Sequence, residues 1–235
     1  VGAWLTAFAY GTSYFSAVIF IGYAGQFGWK YGVASTWIGL GNAFIGSLFA
    51  WLVLGRRTRL MSQHLDSATM PDFFGKRYNS QALRIAAAAI IFVFLIPYTA
   101  SLYNGLSRLF TMAFNVDYTV LIVVMAALTC IYVVAGGYKA TAITDFIQGI
   151  IMLIGISAVV IAVLNKNGGF AGSLAALANV TDKTVSDTPG VFTSFFGPDP
   201  LGLLSVVILT SLGTWGLPQM VQKFYAIKDE RAISK

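Results

Sequence analysis

The fold is decided by residues 118–164, which read YTVLIVVMAALTCIYVVAGGYKATAITDFIQGIIMLIGISAVVIAVL. An α-helix needs about 20 mainly apolar residues to cross a bilayer. The stretch contains two such segments, residues 118–135 and residues 140–164, separated by a short turn that carries Lys139. It therefore predicts two consecutive transmembrane helices that run in opposite directions.

The composition of the whole chain agrees with this prediction. Of its 235 residues, 57% are hydrophobic and 10% are charged, whereas soluble domains carry roughly 25% charged residues. So few charges cannot cover a globular surface, which argues against a soluble enzyme, a disordered segment and a disulfide scaffold. We predict an all-α integral membrane protein, and we attribute the net charge of +6 to cytoplasmic loops rather than to nucleic-acid binding.

Outward from this central pair, the hydrophobic pattern predicts about six transmembrane helices. Their approximate ranges are 1–25, 34–54, 81–114, 118–135, 140–164 and 201–227. Pro97 predicts a kink in the third span. Thr69 followed by Pro71 is typical of a helix start and predicts a short amphipathic helix before span three. Residues 171–177 predict an interfacial helix before span six.

The distribution of basic residues predicts the orientation of the spans. The loops and span ends on one side contain 11 Lys and Arg residues, and those on the other side contain 4. An excess of Lys and Arg marks the cytoplasmic side. Span one is therefore predicted to start inside the cell and to run outward.

Spans one and six are each interrupted by residues that weaken a helix. Residues 10–16 read YGTSYFS, and residues 210–218 read TSLGTWGLP. Gly, Ser, Thr and Pro at membrane depth release backbone groups that can bind a cation or a polar solute, although Gly and Ser also permit close helix packing. Because the two spans are five apart, they occupy matching places in two inverted repeats, which favours a transporter binding site.

Asp145 is unusual among the nine acidic residues because it lies inside a predicted span. The other eight fall in loops or at span ends, whereas Asp145 is about one and a half turns into span five. A carboxylate at that depth is costly without a partner, so it is a functional candidate. The alternative is an acid near the cytoplasmic interface that pairs with Lys139.

The sequence contains little support for nucleotide binding, hydrolysis or redox chemistry. It contains no nucleotide-binding loop, and no carboxylate pair or His cluster indicates hydrolysis or redox chemistry. We therefore predict neither an enzyme nor an ATP-driven pump, and we expect no cofactor. The single cysteine, Cys130, lies in an apolar run and is interpreted as core packing.

Three stretches resemble the sodium:solute symporter family, in the same order along the chain. They are residues 70–78, MPDFFGKRY, residues 136–148, GGYKATAITDFIQ, and residues 213–224, GTWGLPQMVQKF. The last stretch is most similar to the bacterial sodium/proline symporters. The resemblance implies a leucine-transporter fold of two inverted five-helix repeats. This chain would then be a partial transporter domain with the first repeat (about 1–165), an outer loop (about 166–199) and the first helix of the second repeat (about 200–228).

The resemblance also implies where the coupling ion binds. In the family, sodium is held by backbone carbonyls at the break of the first core helix and by hydroxyls of the eighth core helix, which this chain would lack. The matching carbonyls here belong to Thr12 and Phe15. Ser16 follows them directly, and Asp145 takes the place of the family's aspartate near the ion.

The predicted solute pocket draws on spans one, three and six. Its residues are Ser13, Ser16, Ala17, Tyr98, Tyr103, Thr214, Trp215 and Pro218. Proline symporters have an acid where this chain has Tyr14, and sugar members have an amide where it has Ile19, so neither substrate pattern is intact.

The sequence thus predicts a multi-pass, sodium-coupled secondary symporter that imports a small polar solute by alternating access across the plasma membrane of a bacterium. Its partners would be sodium, the lipid bilayer and a small solute, with proline or a related amino or carboxylic acid first in rank. The alternatives are a symporter for a sugar or another organic solute, a transporter-like solute sensor and a channel.

Overall fold

The structure, a computed structural model, describes residues 2–15 and 23–227. Within these ranges the chain is nearly all helical, with one isolated β-bridge between Asp182 and Ser186. The α-helices are α1 (Ala3–Tyr14), α2 (Ala24–Tyr31), α3 (Thr36–Gly41), α4 (Arg56–His64), α5 (Met70–Arg77), α6 (Gln81–Phe114), α7 (Tyr118–Lys166), α8 (Gly169–Ala178), α9 (Pro200–Gly213) and α10 (Pro218–Ala226). Between them lie 3₁₀ turns at Gly32–Ser35, Val191–Thr193 and Thr214–Gly216, and π-helical segments at Asn42–Phe49 and Trp51–Gly55.

Three of the described helical stretches are long and apolar enough to cross a membrane. They are residues 24–64, α6 and α7. α9 and α10 together form a fourth candidate, which is bent by 49° between its two parts. The prediction of an all-helical chain with several apolar helices is confirmed for the described residues, whereas the count of six spans and the leucine-transporter fold stay predictions.

The first two predicted spans have different bounds in the structure. α1 ends at Tyr14, and residues 16–22 of the predicted first span lie outside the described residues. The second predicted span, residues 34–54, is the middle of a helical stretch that extends over residues 24–64. The arginines from residue 56 onward end the apolar pattern, but the helix continues beyond them. The hydropathy pattern therefore predicts a span that is shorter than the helical stretch in the structure.

α7 contains both helices of the pair from which the sequence prediction began. Gly137, inside the predicted turn, has φ 56° and ψ −158°, which breaks the helix into two halves. This region of backbone conformation is accessible essentially to glycine alone. The break divides the apolar stretch where the sequence predicts a reversal of direction.

The predicted helix start at Thr69 is confirmed. The hydroxyl of Thr69 accepts a hydrogen bond from the N–H of Asp72 at 3.3 Å, and Pro71 lies in the first turn of α5. Asp72 also pairs with Lys76 at 3.1 Å and with Arg84 of α6 at 3.7 Å. The pair with Arg84 connects α5 to the beginning of α6. The predicted interfacial helix at residues 171–177 corresponds to α8.

The segment between α8 and α9 packs on the end of α2. A Cβ added to Gly32, which has φ +60°, would overlap the backbone carbonyl of Phe192. The indole N–H of Trp37 donates to the carbonyl of Phe195 at 3.0 Å. In the same segment the hydroxyl and then the backbone N–H of Thr184 donate to Asp182, which lowers the pKa of that carboxyl.

Two buried clusters hold the helices together. The first joins α1 to α10 and consists of Tyr10, Tyr14, Met220, Val221, Phe224 and Tyr225. The second joins the end of α2 and α3 to α9 and consists of Tyr31, Ala34, Ile38 and Leu203. α1 also lies along α7, where the rings of Phe8 and Phe146 are 4.7 Å apart. The end of α1 therefore contacts the π-helical segment Asn42–Phe49, α7, α9 and α10.

Candidate functional site

The interruption predicted in span one lies at the end of α1. The helix stops at Tyr14, and Phe15 has φ −91° and ψ 70°, outside the helical region. The N–H of Phe15 still donates to the carbonyl of Gly11 at 2.8 Å. The last four carbonyls of a helix have no donor within that helix, so a helix end is a place where backbone oxygens can bind a cation.

The interruption predicted in span six is a true break between α9 and α10. α9 ends at Gly213, a 3₁₀ turn follows, and Leu217 is extended with φ −67° and ψ 127°. Pro218 then starts α10, where a proline is well tolerated because its missing N–H has no intrahelical partner. The local sequence thus favours ending one helix and starting another within a few residues.

The two breaks meet at the hydroxyl of Tyr14. The hydroxyl of Thr214, in the second break, donates to it at 3.2 Å. Tyr14 in turn lies 2.7 Å from Oδ1 of Asn42 and 3.3 Å from the carbonyl of Thr210, both acceptors for its proton. Tyr14 is 4% exposed and Asn42 is 7% exposed. The structure therefore places a buried polar junction between α1, the first π-helical segment and α9.

Thr12, one of the predicted sodium residues, faces α7. The hydroxyls of Thr12 and Ser13 donate back to Phe8 and Ala9 of their own helix, at 2.9 and 2.7 Å. A Cβ added to Gly149 of α7 would lie 3.0 Å from Cγ2 of Thr12, so the two helices are in close contact there. Two predicted residues, Ser16 and Ala17, lie outside the described residues.

Asp145 pairs with Lys223 of α10, not with Lys139. Its Oδ2 is 3.5 Å from Nζ of Lys223, and the two side chains are 26% and 9% exposed. The interpretation of Asp145 as a partner of Lys139 is wrong because the two are six residues apart. At 3.6 residues per turn that spacing puts them about 120° apart around a helix, so the two side chains do not face each other.

Lys223 has surroundings that the sequence analysis did not predict. The count of basic residues grouped it with the charges of loops and span ends, and in the structure it is buried on α10, with Nζ 5.4 Å from the centre of the Tyr138 ring. Its neighbours Met220 and Phe224 are both buried. Met220, Lys223 and Phe224 are spaced i, i+3 and i+4, which places them on one face of the helix. This spacing is the signal in the sequence that could have indicated a buried lysine.

The predicted solute residues are only partly brought together. A cavity of about 400 Å³ between α5, α6 and the second break includes Tyr98 and Pro218. The cavity walls are Met70, Phe74, Ala87, Ile90, Ile91, Phe94, Leu95, Tyr98, Gly216, Leu217, Pro218 and Gln219. Thr214 binds Tyr14 instead, and the indole N–H of Trp215 donates to the carbonyl of Ile45 at 2.9 Å.

Two further residues show how the cavity lining differs from the predicted solute pocket. Tyr103 does not line it. Gln219, which sequence reasoning did not select, does line it, and its buried Oε1 has no hydrogen-bond partner.

Across residues 2–15 and 23–227, no three His, Cys, Asp or Glu side chains are grouped as metal ligands.

Discontinuous transmembrane helices that meet at a binding site are typical of secondary transporters, and here the end of α1 meets the break between α9 and α10. The chain matches the sequence profile of the sodium:solute symporter family over residues 1–235, and it belongs to that family.

The curated relatives agree with this membership. The chain is 32% identical over 232 residues to a Bacillus subtilis protein named osmoregulated proline transporter OpuE, covering 97% of this chain and 45% of that protein. It is also 32% identical over 240 residues to the Staphylococcus aureus sodium/proline symporter, covering 100% of this chain and 44% of the relative. The chain thus spans a little under half the length of these relatives. No solved structure matches it.

Proposed function

We propose that the protein containing this chain is a sodium-coupled symporter that imports a small polar solute across the plasma membrane of a bacterium. The observation that carries the proposal is the junction of the two helix breaks at Tyr14 and Thr214. Proline is the first candidate solute, since both relatives are named for proline, and related amino or carboxylic acids follow.

In this proposal sodium binds at the end of α1. The carbonyls of Thr12 and Phe15 supply two oxygens, one on each side of the last helical residue, Tyr14. Ser16 follows at once in the sequence and adds a hydroxyl. Small cations can be held in this way by carbonyls of an unwound transmembrane helix.

Asp145 acts on sodium from the neighbouring helix. Gly149, one turn after Asp145 on α7, touches Thr12 of α1, so the carboxylate lies on the helix that flanks the proposed ion site. Its pairing with Lys223 means that an approaching sodium ion competes with the ammonium group for the carboxylate. Asp145 therefore tunes sodium affinity rather than contacting the solute.

The solute binds beside the second break. The cavity there is lined almost entirely by apolar side chains, with the amide of Gln219 and the hydroxyl of Tyr98 as its polar groups. Apolar walls with a few polar groups are the usual composition of small-molecule pockets. A compact solute with an apolar ring and a few polar groups fits this lining. A change in the 49° bend between α9 and α10 would alter access to it.

Uptake by the full-length protein in proteoliposomes tests the proposal. Labelled proline is added outside with either sodium or choline as the cation, and unlabelled amino acids and sugars serve as competitors. We expect saturable uptake that requires sodium and is inhibited by unlabelled proline. Binding without uptake would instead identify a solute sensor, non-saturable flux a channel, and sodium-dependent uptake of a labelled sugar but not of labelled proline a sugar symporter.

A further inference from the structure

Three segments that are distant in the sequence converge on the hydroxyl of Tyr14. Its proton has Oδ1 of Asn42 at 2.7 Å and the carbonyl of Thr210 at 3.3 Å as acceptors, and its lone pair accepts from Thr214 at 3.2 Å. Tyr14 is 4% exposed. One oxygen atom thus links the end of α1, the π-helical segment and the second break.

The surrounding backbone leaves this oxygen little freedom to move. A Cβ added to Gly46, in the first π-helical segment, would overlap the Tyr14 hydroxyl and would lie 3.0 Å from Cζ of the ring. The same Cβ would lie 3.3 Å from the carbonyl of Ser211 in α9. Since side chains in such tight contact must move together, a displacement of Tyr14 shifts the groups that it binds.

We propose that Tyr14 is a positioning residue that couples sodium binding at the end of α1 to solute binding beside the second break. The inference rests on the proposed function, and it assigns to this residue the link between the two sites. Tyr14 lies in the chain between Thr12 and Phe15, whose carbonyls are the proposed sodium ligands. Any rearrangement of those carbonyls around an ion therefore moves the attachment point of Thr214.

Thr214 carries the displacement toward the solute cavity. It belongs to the 3₁₀ turn Thr214–Gly216, and Gly216 is the first residue of the second break to line the cavity. The N–H of Leu217 donates to the carbonyl of Thr214 at 3.3 Å, so the turn is connected by hydrogen bonds as far as the cavity wall. The coupling must be reciprocal, because two binding equilibria that influence each other do so by the same factor.

Tyr10 provides a matched control. It lies one turn earlier on α1, is also 4% exposed, and its hydroxyl donates to the carbonyl of Gly46 at 3.2 Å. Tyr10→Phe and Tyr14→Phe therefore each remove one buried tyrosine hydroxyl that contacts the same π-helical segment. The Tyr14 hydroxyl also reaches the second break, through Thr210 and Thr214, whereas the hydrogen bond of Tyr10 does not.

The test is equilibrium binding to the purified full-length protein. The affinity for labelled proline is measured at very low and at saturating sodium, and the ratio of the two affinities is the coupling factor. We expect Tyr14→Phe to reduce this factor about threefold to tenfold, the range given by losing one buried hydrogen bond. The effect of proline on sodium affinity should fall by the same factor, and Tyr10→Phe should retain the wild-type factor.

A second pair of variants keeps the test decisive if Tyr14→Phe does not fold. Thr214→Val removes the same hydrogen bond from the other side and should lose coupling, whereas Thr214→Ser keeps the hydroxyl and should retain it. Coupling that is unchanged in Tyr14→Phe or in Thr214→Val, or that is lost equally in Tyr10→Phe, would overturn the role of Tyr14 while leaving symport intact. Wild-type proline binding that is absent or unaffected by sodium would overturn the proposed function as well.

Discussion

Replacement of Asp145 by asparagine separates the two roles that the structure allows for this carboxylate. The variant keeps the shape of the side chain and deletes its charge. It also leaves the ammonium group of Lys223, which is 9% exposed, without its counter-charge. Loss of sodium affinity and loss of stability are therefore both expected, and they must be measured separately.

The distances set the magnitude of each effect. Two unit charges 3.5 Å apart attract each other by about 5 kcal/mol at an effective dielectric near 20, and water reduces this value because Asp145 is 26% exposed. A sodium ion that recovers up to about half of it would bind up to a hundredfold more tightly, since about 2.7 kcal/mol is a factor of a hundred. We expect Asp145→Asn to raise the sodium half-saturation by several-fold to a hundredfold, with solute affinity at saturating sodium nearly intact.

Substitutions of Lys223 complete a double-mutant cycle with Asp145→Asn. Removal of one partner of a buried ion pair typically destabilises a protein by about 3–5 kcal/mol, so Asp145→Asn alone should lower the unfolding temperature. The double variant Asp145→Asn/Lys223→Met removes the uncompensated charge and should regain stability. Lys223→Met alone frees Asp145 for the ion and should lower the sodium half-saturation, the opposite direction to Asp145→Asn.

The assay is sodium-dependent uptake by the full-length protein, combined with thermal unfolding of the same preparations. The reasoning requires that the sodium half-saturation remain raised in the double variant even when its stability is restored. A double variant with both stability and sodium dependence of the wild type would refute it. Asp145 would then be a structural partner of Lys223 and nothing more.

Three further predictions follow from the described residues and the sequence. Gly137→Ala should lower the unfolding temperature of the full-length protein because φ 56° and ψ −158° cost a side-chain-bearing residue about 1–3 kcal/mol; Gly155→Ala, where an added Cβ meets nothing within 4 Å, is the matched control and should have no such effect. Ser16→Ala should weaken sodium or solute binding by about 1–3 kcal/mol, whereas unchanged half-saturation for both would indicate helix packing alone. Residues 1–235 reconstituted by themselves should show no saturable sodium-driven uptake, and such uptake would contradict the view that the site needs further helices.

The local features of this fold could be predicted from the sequence because they depend on neighbouring residues. Glycine, hydroxyl side chains and proline in residues 210–218 predict a helix break, and the structure has one at Leu217. The gap between the apolar segments 118–135 and 140–164 predicts the turn in α7, where Gly137 breaks the helix. Thr69 and Pro71 predict the start of α5 in the same way.

The contacts within the candidate site could not be predicted because they join residues that are far apart in the chain. Nothing in the composition around Asp145 indicates that its partner lies on α10, and Lys139 is the nearest lysine in the sequence although it is on the wrong face of the helix. Asn42 is a polar residue in an apolar run, but its role depends on the approach of Tyr14. The structure supplies these distances, whereas a hydrophobic pattern supplies only the face of each helix.

The steady-state accumulation of solute under an imposed sodium gradient tests the central claim most directly. Proteoliposomes with the full-length protein receive a tenfold inward sodium gradient and labelled proline at equal concentration on both sides. A tenfold gradient stores about 1.4 kcal/mol per ion, so coupling one sodium ion to each solute predicts accumulation of up to about tenfold inside, which a sodium ionophore abolishes. Internal proline that never exceeds the external concentration, despite measurable exchange across the membrane, would contradict sodium-coupled symport.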